Sequence, residues 1–304
     1  MKLLALFLLL VTYVGQAQVV KVIRTVQLTD IKDGEFVVSA VSPDGKSILA
    51  SNPGYKGLFR VEVGQKKIHK ISDLPGAGYL PCFSSDGSKI YFRTDEFVSM
   101  KRYSSISEFD LASGETEIIE KKSREMTIPV ITGNQLVYKV DGKNKMMVAG
   151  SDNLKSASAN VYVILENLIP VLYINGIGKP ITPNGEGNYI WVSLSPDKTR
   201  LLYNFGGKGT FVSTIDGRII ADLGRFQAPQ WLNDQIIVGM NDKDDGYRVL
   251  SSDIICYSLP TKQFTNLTST TENIEMYPLP FTDGNKLVYQ TLNGELFIMY
   301  LSIK

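Results

Sequence analysis

Histidine and cysteine are nearly missing from this chain of 304 residues, which holds one histidine, His69, and two cysteines, Cys82 and Cys256. A His/Cys zinc centre or a histidine-based triad has almost no material to draw on. An excess of charge of one sign is missing too. Lys+Arg is 32 against Asp+Glu 31, which excludes the basic footprint of a nucleic-acid binder. Past the first residues, no apolar run reaches the ~20 residues needed to span a bilayer. What is present is 43% hydrophobic and 21% charged residues, enough to bury a sizeable core and unlike a disordered or collagenous chain. The length admits one or two domains, including one all-β domain.

The first residues, MKLLALFLLLVTYVGQAQ, combine a basic Lys2, an apolar stretch from Leu3 to Val14, and a small-residue cleavage signature at Gly15-Gln16-Ala17. This pattern predicts a signal peptide over 1–17 and a single domain over 18–304. A retained anchor is disfavoured because Gln16 and Gln18 arrive too early. The expected product is periplasmic or secreted, with no membrane span. Export permits a disulfide, but Cys82 and Cys256 sit in apolar surroundings 174 positions apart. Two buried small hydrophobes are the preferred reading over a bridge.

A repeat runs through the chain. Ser42-Pro43-Asp44-Gly45 precedes Ile48-Leu49-Ala50, Ser85-Asp86-Gly87 precedes Ile90-Tyr91-Phe92, and Ser195-Pro196-Asp197 precedes Leu201-Leu202-Tyr203. Thr282-Asp283-Gly284 precedes Leu287-Val288-Tyr289, and shorter turns precede Leu136-Val137-Tyr138 and Ile236-Ile237-Val238. Pro presets φ, Asp bonds the backbone ahead of it and Gly takes the left-handed position, so each turn reverses the chain between two strands. Closing strands interleave with these turns, at Ile71-Ser72, Ile119-Glu120 and Ile181-Thr182 among others. The pattern predicts an all-β, six-bladed β-propeller of four-stranded blades, each of about 48 residues. The triplets are 42, 46, 65, 35 and 51 residues apart, and the widest interval is read as a long loop. The last unit stops at its third strand, so the N-terminal strand is expected to complete it; a linear array would leave apolar edges exposed.

The stretches Pro81-Cys82-Phe83-Ser84-Ser85-Asp86-Gly87-Ser88-Lys89-Ile90-Tyr91 and Trp191-Val192-Ser193-Leu194-Ser195-Pro196-Asp197 resemble the WD-repeat-like propeller repeat of TolB-type proteins. The resemblance implies six blades and an exported bacterial protein that binds or scaffolds a partner in the periplasm. It implies no activity, because such repeats also occur beside hydrolase domains. The chain is expected to lack the TolB N-terminal domain, so the role of TolB itself does not carry over.

In such blades the second-to-third loops and the inter-blade connections share one face, where function tends to sit. Three of these loops read as long: 94–105, 141–160 and 241–253. The first offers Lys101, Arg102 and Tyr103, a combination that can grip a carboxylate or stack on a sugar; the second offers Lys143 and Lys145. Solvated loops are the plainer reading of both. The third places Asp242, Asp244 and Asp245 beside Gly246, hard oxygen ligands of the kind Ca²⁺ takes, but without the ligand alternation of an EF-hand. No other cofactor is implied. A G-x-S-x-G elbow is absent, and His69 alternates with apolar residues on a closing strand near the rim. Trp191 and Trp231 fall on first strands, where large aromatics wedge between sheets. The chain thus reads as a monomeric, non-catalytic binding or scaffold propeller whose partner is a protein or a small or oligomeric ligand. The alternative is a propeller enzyme acting on carbohydrate, a glycoside hydrolase or lyase, which needs a carboxylate pair about 5 to 10 Å apart in the channel.

Overall fold

The computed structural model describes residues 20–150 and 161–304; the expected signal peptide lies outside them. Strand β1 (Val20–Gln27) comes first, followed by a 3-10 turn at Ile31–Asp33. Sheet 1 is β2 (Val37–Val41), β3 (Ser47–Asn52), β4 (Lys56–Glu62) and β5 (Lys67–Pro75). Sheet 2 is β6 (Cys82–Phe83), β7 (Lys89–Val98), β8 (Lys101–Asp110) and β9 (Thr116–Ser123). Sheet 3 is β10 (Val130–Thr132), β11 (Gln135–Val140) and β12 (Lys143–Val148). Sheet 4 is β13 (Val161–Glu166), β14 (Ile169–Ile174) and β15 (Ile177–Pro180). Sheet 5 is β16 (Tyr189–Leu194), β17 (Arg200–Phe205), β18 (Gly209–Thr214) and β19 (Ile219–Gly224). Sheet 6 is β20 (Gln227–Trp231), β21 (Ile236–Asp244), β22 (Val249–Ser258) and β23 (Gln263–Asn266). Sheet 7 is β24 (Glu275–Pro280), β25 (Lys286–Thr291) and β26 (Leu296–Ile303), completed by β1.

The first strands close a ring. β2 packs near β6, β6 near β10, β10 near β13, β13 near β16, β16 near β20, β20 near β24, and β24 returns to β2. The propeller therefore has seven blades, and the expected six is corrected. The extra blade is sheet 4, inside the 65-residue interval read as a loop. It has its own apolar triplet, Val171-Leu172-Tyr173, but its strands are joined through Asn167-Leu168 and Asn175-Gly176 rather than a Ser-Pro-Asp-Gly turn. It also runs in the opposite sense. Glu166, at the end of β13, pairs with Lys139 near the end of β11, and the Leu168 carbonyl accepts the Tyr189 N–H at the start of β16.

Seven apolar clusters fill the seven interfaces between sheets. The period-2 alternation of a strand divides each triplet between two of them. Ile48 and Ala50 join the cluster shared with sheet 7, for example, while Leu49 joins the one shared with sheet 2. The expected closure holds: β1 pairs antiparallel with β26 from Val20↔Ile303 to Gln27↔Phe297.

One face of the propeller, the turn face, is occupied by the Ser-x-Asp turns. Ser42, Ser84 and Ser195 each donate to the Asp two residues on, at 2.7, 2.6 and 2.6 Å. Neighbouring turns also bond to one another: the Asp197 N–H donates to Asp234 (2.8 Å), and the Thr282 hydroxyl donates to the Pro43 carbonyl (2.9 Å). The Ser-x-Asp turns thus satisfy their own polar groups, while Thr132 Oγ1, in the shorter turn of sheet 3, is buried without a partner. The opposite end, the hairpin face, carries the second-to-third hairpins and most inter-blade connections. His69 lies on the outermost strand of sheet 1, with Nε2 2.9 Å from Glu62. Cys82 and Cys256 are free thiols in different blades. Burial raises both, Cys82 to about 12 and Cys256 to about 11.

Candidate functional site

The loops expected at 94–105 and 241–253 are corrected to ordered hairpins. β7 and β8 continue their ladder past the blade until Ser99 (φ 49) and Met100 (φ 62) turn the chain. Lys101 faces Val98, Arg102 faces Phe97, and Tyr103 faces Glu96. Lys122 pairs with Glu96 at 3.1 Å and lies 6.0 Å from the Tyr103 ring. The second stretch, 141–160, is corrected as far as it is described: Lys143–Val148 is strand β12, and 151–160 lie outside the described residues. Lys143 and Lys145 stand opposite Val140 and Tyr138, and Lys145 reaches Glu120 at 3.9 Å. Lys145 is thus drawn toward Glu120 in sheet 2 and does not join Arg102.

Two of the three carboxylates of the acidic stretch are met by a cation from the neighbouring blade. Arg225, in the connection from sheet 5 to sheet 6, donates to Asp242 at 3.0 Å and also to Asp244. That ion pair and the Gly246 N–H hold Asp244 below the ordinary carboxylate value. Asp245 accepts the N–H groups of Tyr247 and Arg248 (2.9 and 3.0 Å), which lower it as well. An Arg clamp on Asp242 Oδ2 and Asp244 and a turn cap on Asp245 therefore engage the carboxylates proposed for Ca²⁺, with Asp242 Oδ1 left buried and without a donor. Among the described residues no group of three or more His, Cys, Asp or Glu is placed to hold a metal ion.

The channel mouth on the hairpin face carries residues that were not singled out in the sequence. Tyr79 lies in the connection from sheet 1 to sheet 2, and Tyr55 in the β3–β4 loop meets it edge to face, with ring centroids 4.9 Å apart. Arg93, near the middle of β7, has its guanidinium 5.9 Å from the Tyr79 ring, donates to the Met126 carbonyl (3.3 Å) and lies 3.4 Å from Asp95. Burial first, and the nearby Arg102 charge as well, lower the Arg93 guanidinium from its ordinary value. Tyr277, on inner strand β24, is raised by burial and by Asp242. The mouth thus joins blades 6, 7, 1 and 2. No local pattern announces it, because its members are drawn from stretches more than two hundred positions apart.

A buried acid adjoins this mouth. Glu275, first residue of β24, is 1% exposed. It accepts the Thr270 hydroxyl at 2.6 Å, and the Thr268 hydroxyl lies 3.5 Å from it and 3.3 Å from Asp253. Burial, aided by the Asp253 charge, raises the Glu275 carboxyl. A raised acid holds its proton more tightly when folded, so its contribution is complete below the ordinary carboxylate value and is lost as pH rises through the folded value. Glu275→Gln is expected to match the wild type near pH 4 and to melt a few degrees higher near pH 8, the shift that ~1 kcal/mol produces in a domain of this size. Scanning fluorimetry across that range checks it, and a variant less stable than wild type at pH 8 would refute the assignment.

No family model and no curated protein matches this chain. Among solved structures it is similar to an oligogalacturonate lyase in complex with manganese, at 14% identity and a TM-score of 0.46, with 86% of this chain and 76% of that one covered. An oligogalacturonate lyase from Vibrio parahaemolyticus is similar at 12% identity and a TM-score of 0.48, with coverage of 90% and 80%. TolB from Acinetobacter baumannii is similar at 18% identity and a TM-score of 0.47, with 77% of this chain matching 54% of that one. The propeller itself stands on the chain's own ring of sheets. Among the described residues no helix is long and apolar enough to cross a membrane.

Proposed function

We propose that this protein is an exported binding propeller that works without catalysis and engages its partner on the hairpin face. The observation that carries this reading is where the exposed apolar side chains lie. Leu80, Phe97, Met100, Leu168, Tyr247 and Leu292 are all exposed on that face, with Met100 at 100% and Tyr247 at 98%. Exposed apolar side chains gathered on one face mark interaction surfaces; the turn face exposes fewer, Val148, Ile174 and Ile177 among them, and its Ser-x-Asp turns are occupied by their own hydrogen bonds. The hairpins present these side chains on rigid ladders, which limits the ordering cost of binding.

The carbohydrate-enzyme reading is weaker, because the carboxylates that lie close together here are already engaged. Asp242 and Asp244 share Arg225. Asp253 and Glu275 both lie near the Thr268 hydroxyl, at 3.3 and 3.5 Å, but Glu275 is buried away from any substrate. A photo-crosslinking residue placed at Met100, and separately at Lys46 on the turn face, tests the proposal in a periplasmic extract. Discrete adducts from Met100 and none from Lys46 are expected. Equal labelling from both faces, or polysaccharide turnover by the wild type, would overturn it.

A further inference from the structure

Tyr55, Tyr79 and Tyr277 reach the mouth from three separate stretches, and as residues they are 42, 38 and 37% exposed. None of their hydroxyls has a hydrogen-bond partner among the described residues, although a partly buried phenol usually finds one. Two of the three are displayed at a conformational cost: Tyr55 has φ 58 and Tyr277 has φ 53, a region that bulky residues avoid. Trp191 (φ 50) and Ala228 (φ 45) share this conformation at the bulges of inner strands β16 and β20, so at Tyr277 it belongs to a bulge that the blades repeat.

The surrounding charges decide what such a display can hold. Arg93, Arg102 and Arg225 stand against Asp95, Asp242 and Asp244, so the mouth is balanced. Within that balance two groups lack partners. Asp242 Oδ1 is buried without a donor, and Arg102 has no acid partner among the described residues. The mouth therefore offers flat ring faces, three phenols able to donate and accept, one unfilled acceptor and one unfilled donor, with no net charge. A simple carboxylate would suit Arg102 but meet Asp95, and an ammonium would suit Asp242 but meet Arg225. A ring bearing several hydroxyls satisfies all of these groups together.

From this we propose that the mouth is a binding subsite for an uncharged saccharide, with sugar faces against Tyr55 and Tyr277 and hydroxyls bonded to the phenols, Asp242 and Arg102. The inference rests on the binding-module reading and names a ligand for the same face. Calorimetric titration of the full chain with neutral hexasaccharides of glucose, mannose, xylose and galactose, and with a hexauronate, tests it. Saturable binding of at least one neutral hexasaccharide is expected. Tyr55→Gly, which suits its backbone better than tyrosine does, should lower that affinity about tenfold without lowering the melting temperature, and Tyr277→Phe should lower it severalfold through loss of one hydroxyl. Lys46→Ala, on the opposite turn face where the Lys46 side chain is exposed, should leave it unchanged. The inference is overturned if no neutral hexasaccharide binds at about 5 mM, an affinity floor near −3 kcal/mol, if only the hexauronate binds, or if Tyr55→Gly binds as well as wild type. Persisting Met100 adducts alongside any of these results would leave the binding face standing and remove only its saccharide.

Discussion

Deleting Val20–Thr29 is expected to yield a chain that cannot be recovered as a soluble monomer. The segment supplies the outer strand of sheet 7, in antiparallel register with β26 along its length. Val20 and Leu28 are 6 and 4% exposed and belong to the clusters on the two sides of that sheet. The junction is tied by backbone and side chain alike: the Leu28 N–H donates to the Leu296 carbonyl (2.7 Å), and the Leu296 N–H donates to the Thr29 hydroxyl (2.9 Å). Removing two buried side chains forfeits about 2 kcal/mol each, and the ladder bonds of β26 go with them. That approaches the whole stability of an ordinary domain, about 5–15 kcal/mol. It also bares β26, whose Leu296-Phe297-Ile298-Met299-Tyr300-Leu301 makes an apolar edge prone to pairing with another chain. Size-exclusion chromatography and urea melting decide the matter. A soluble monomeric truncation with an unchanged midpoint would show that the ring does not depend on its closure.

The fold class and the closure were legible in the sequence because they rest on local chemistry. A Ser-Pro-Asp-Gly turn bonds to itself, as the Ser42–Asp44 hydrogen bond does, so it reads the same in a string of letters as in space. The blade count was not legible for the same reason. Sheet 4 turns through Asn167-Leu168 and Asn175-Gly176, with positive φ at all four residues, and this signal belongs to hairpins in general rather than to the repeat. A blade is defined by packing on its neighbours, and the Val171-Leu172-Tyr173 triplet that does the packing carried no turn motif to announce it.

The candidate site was legible only in part. Arg102 stood out as a loop cation and does lie near the mouth, but the partners that give it meaning were invisible. Arg93 reads as one polar residue in a buried strand, and Tyr55, Tyr79 and Tyr277 read as isolated aromatics. The acidic stretch misled for a related reason. Three carboxylates in four residues suggest a cation, and the cation is there, but it is the guanidinium of Arg225 from the preceding blade. In a ring whose faces are assembled from seven separate blades, the residues that meet are set by radial position, which a linear pattern does not encode.

Arg93→Met is expected to destabilise the protein by about 3–5 kcal/mol, the cost of leaving one member of a buried ion pair without the other. The Arg93 and Asp95 side chains are 8 and 11% exposed. Without the guanidinium, Asp95 keeps the Ser104 hydroxyl (2.6 Å) but no countercharge, and the Met126 carbonyl loses its donor. The carboxylate cannot easily swing away: it lies so close over Gly76 that a Cβ there would come within 2.8 Å of it. Tyr79 would also lose the cation beside its ring, so the mouth should loosen as the blade does. Asp95→Ala strands the opposite charge and is expected to cost a similar amount. The Arg93→Met/Asp95→Ala double variant should lose much less than the two single losses together, because apolar replacement of a whole buried pair is close to neutral. Urea midpoints at constant m-value give the cycle. Single variants that lose under 1 kcal/mol, or losses that simply add, would mean that the pair is solvated and that the Tyr79 side of the mouth is not held in place by Arg93.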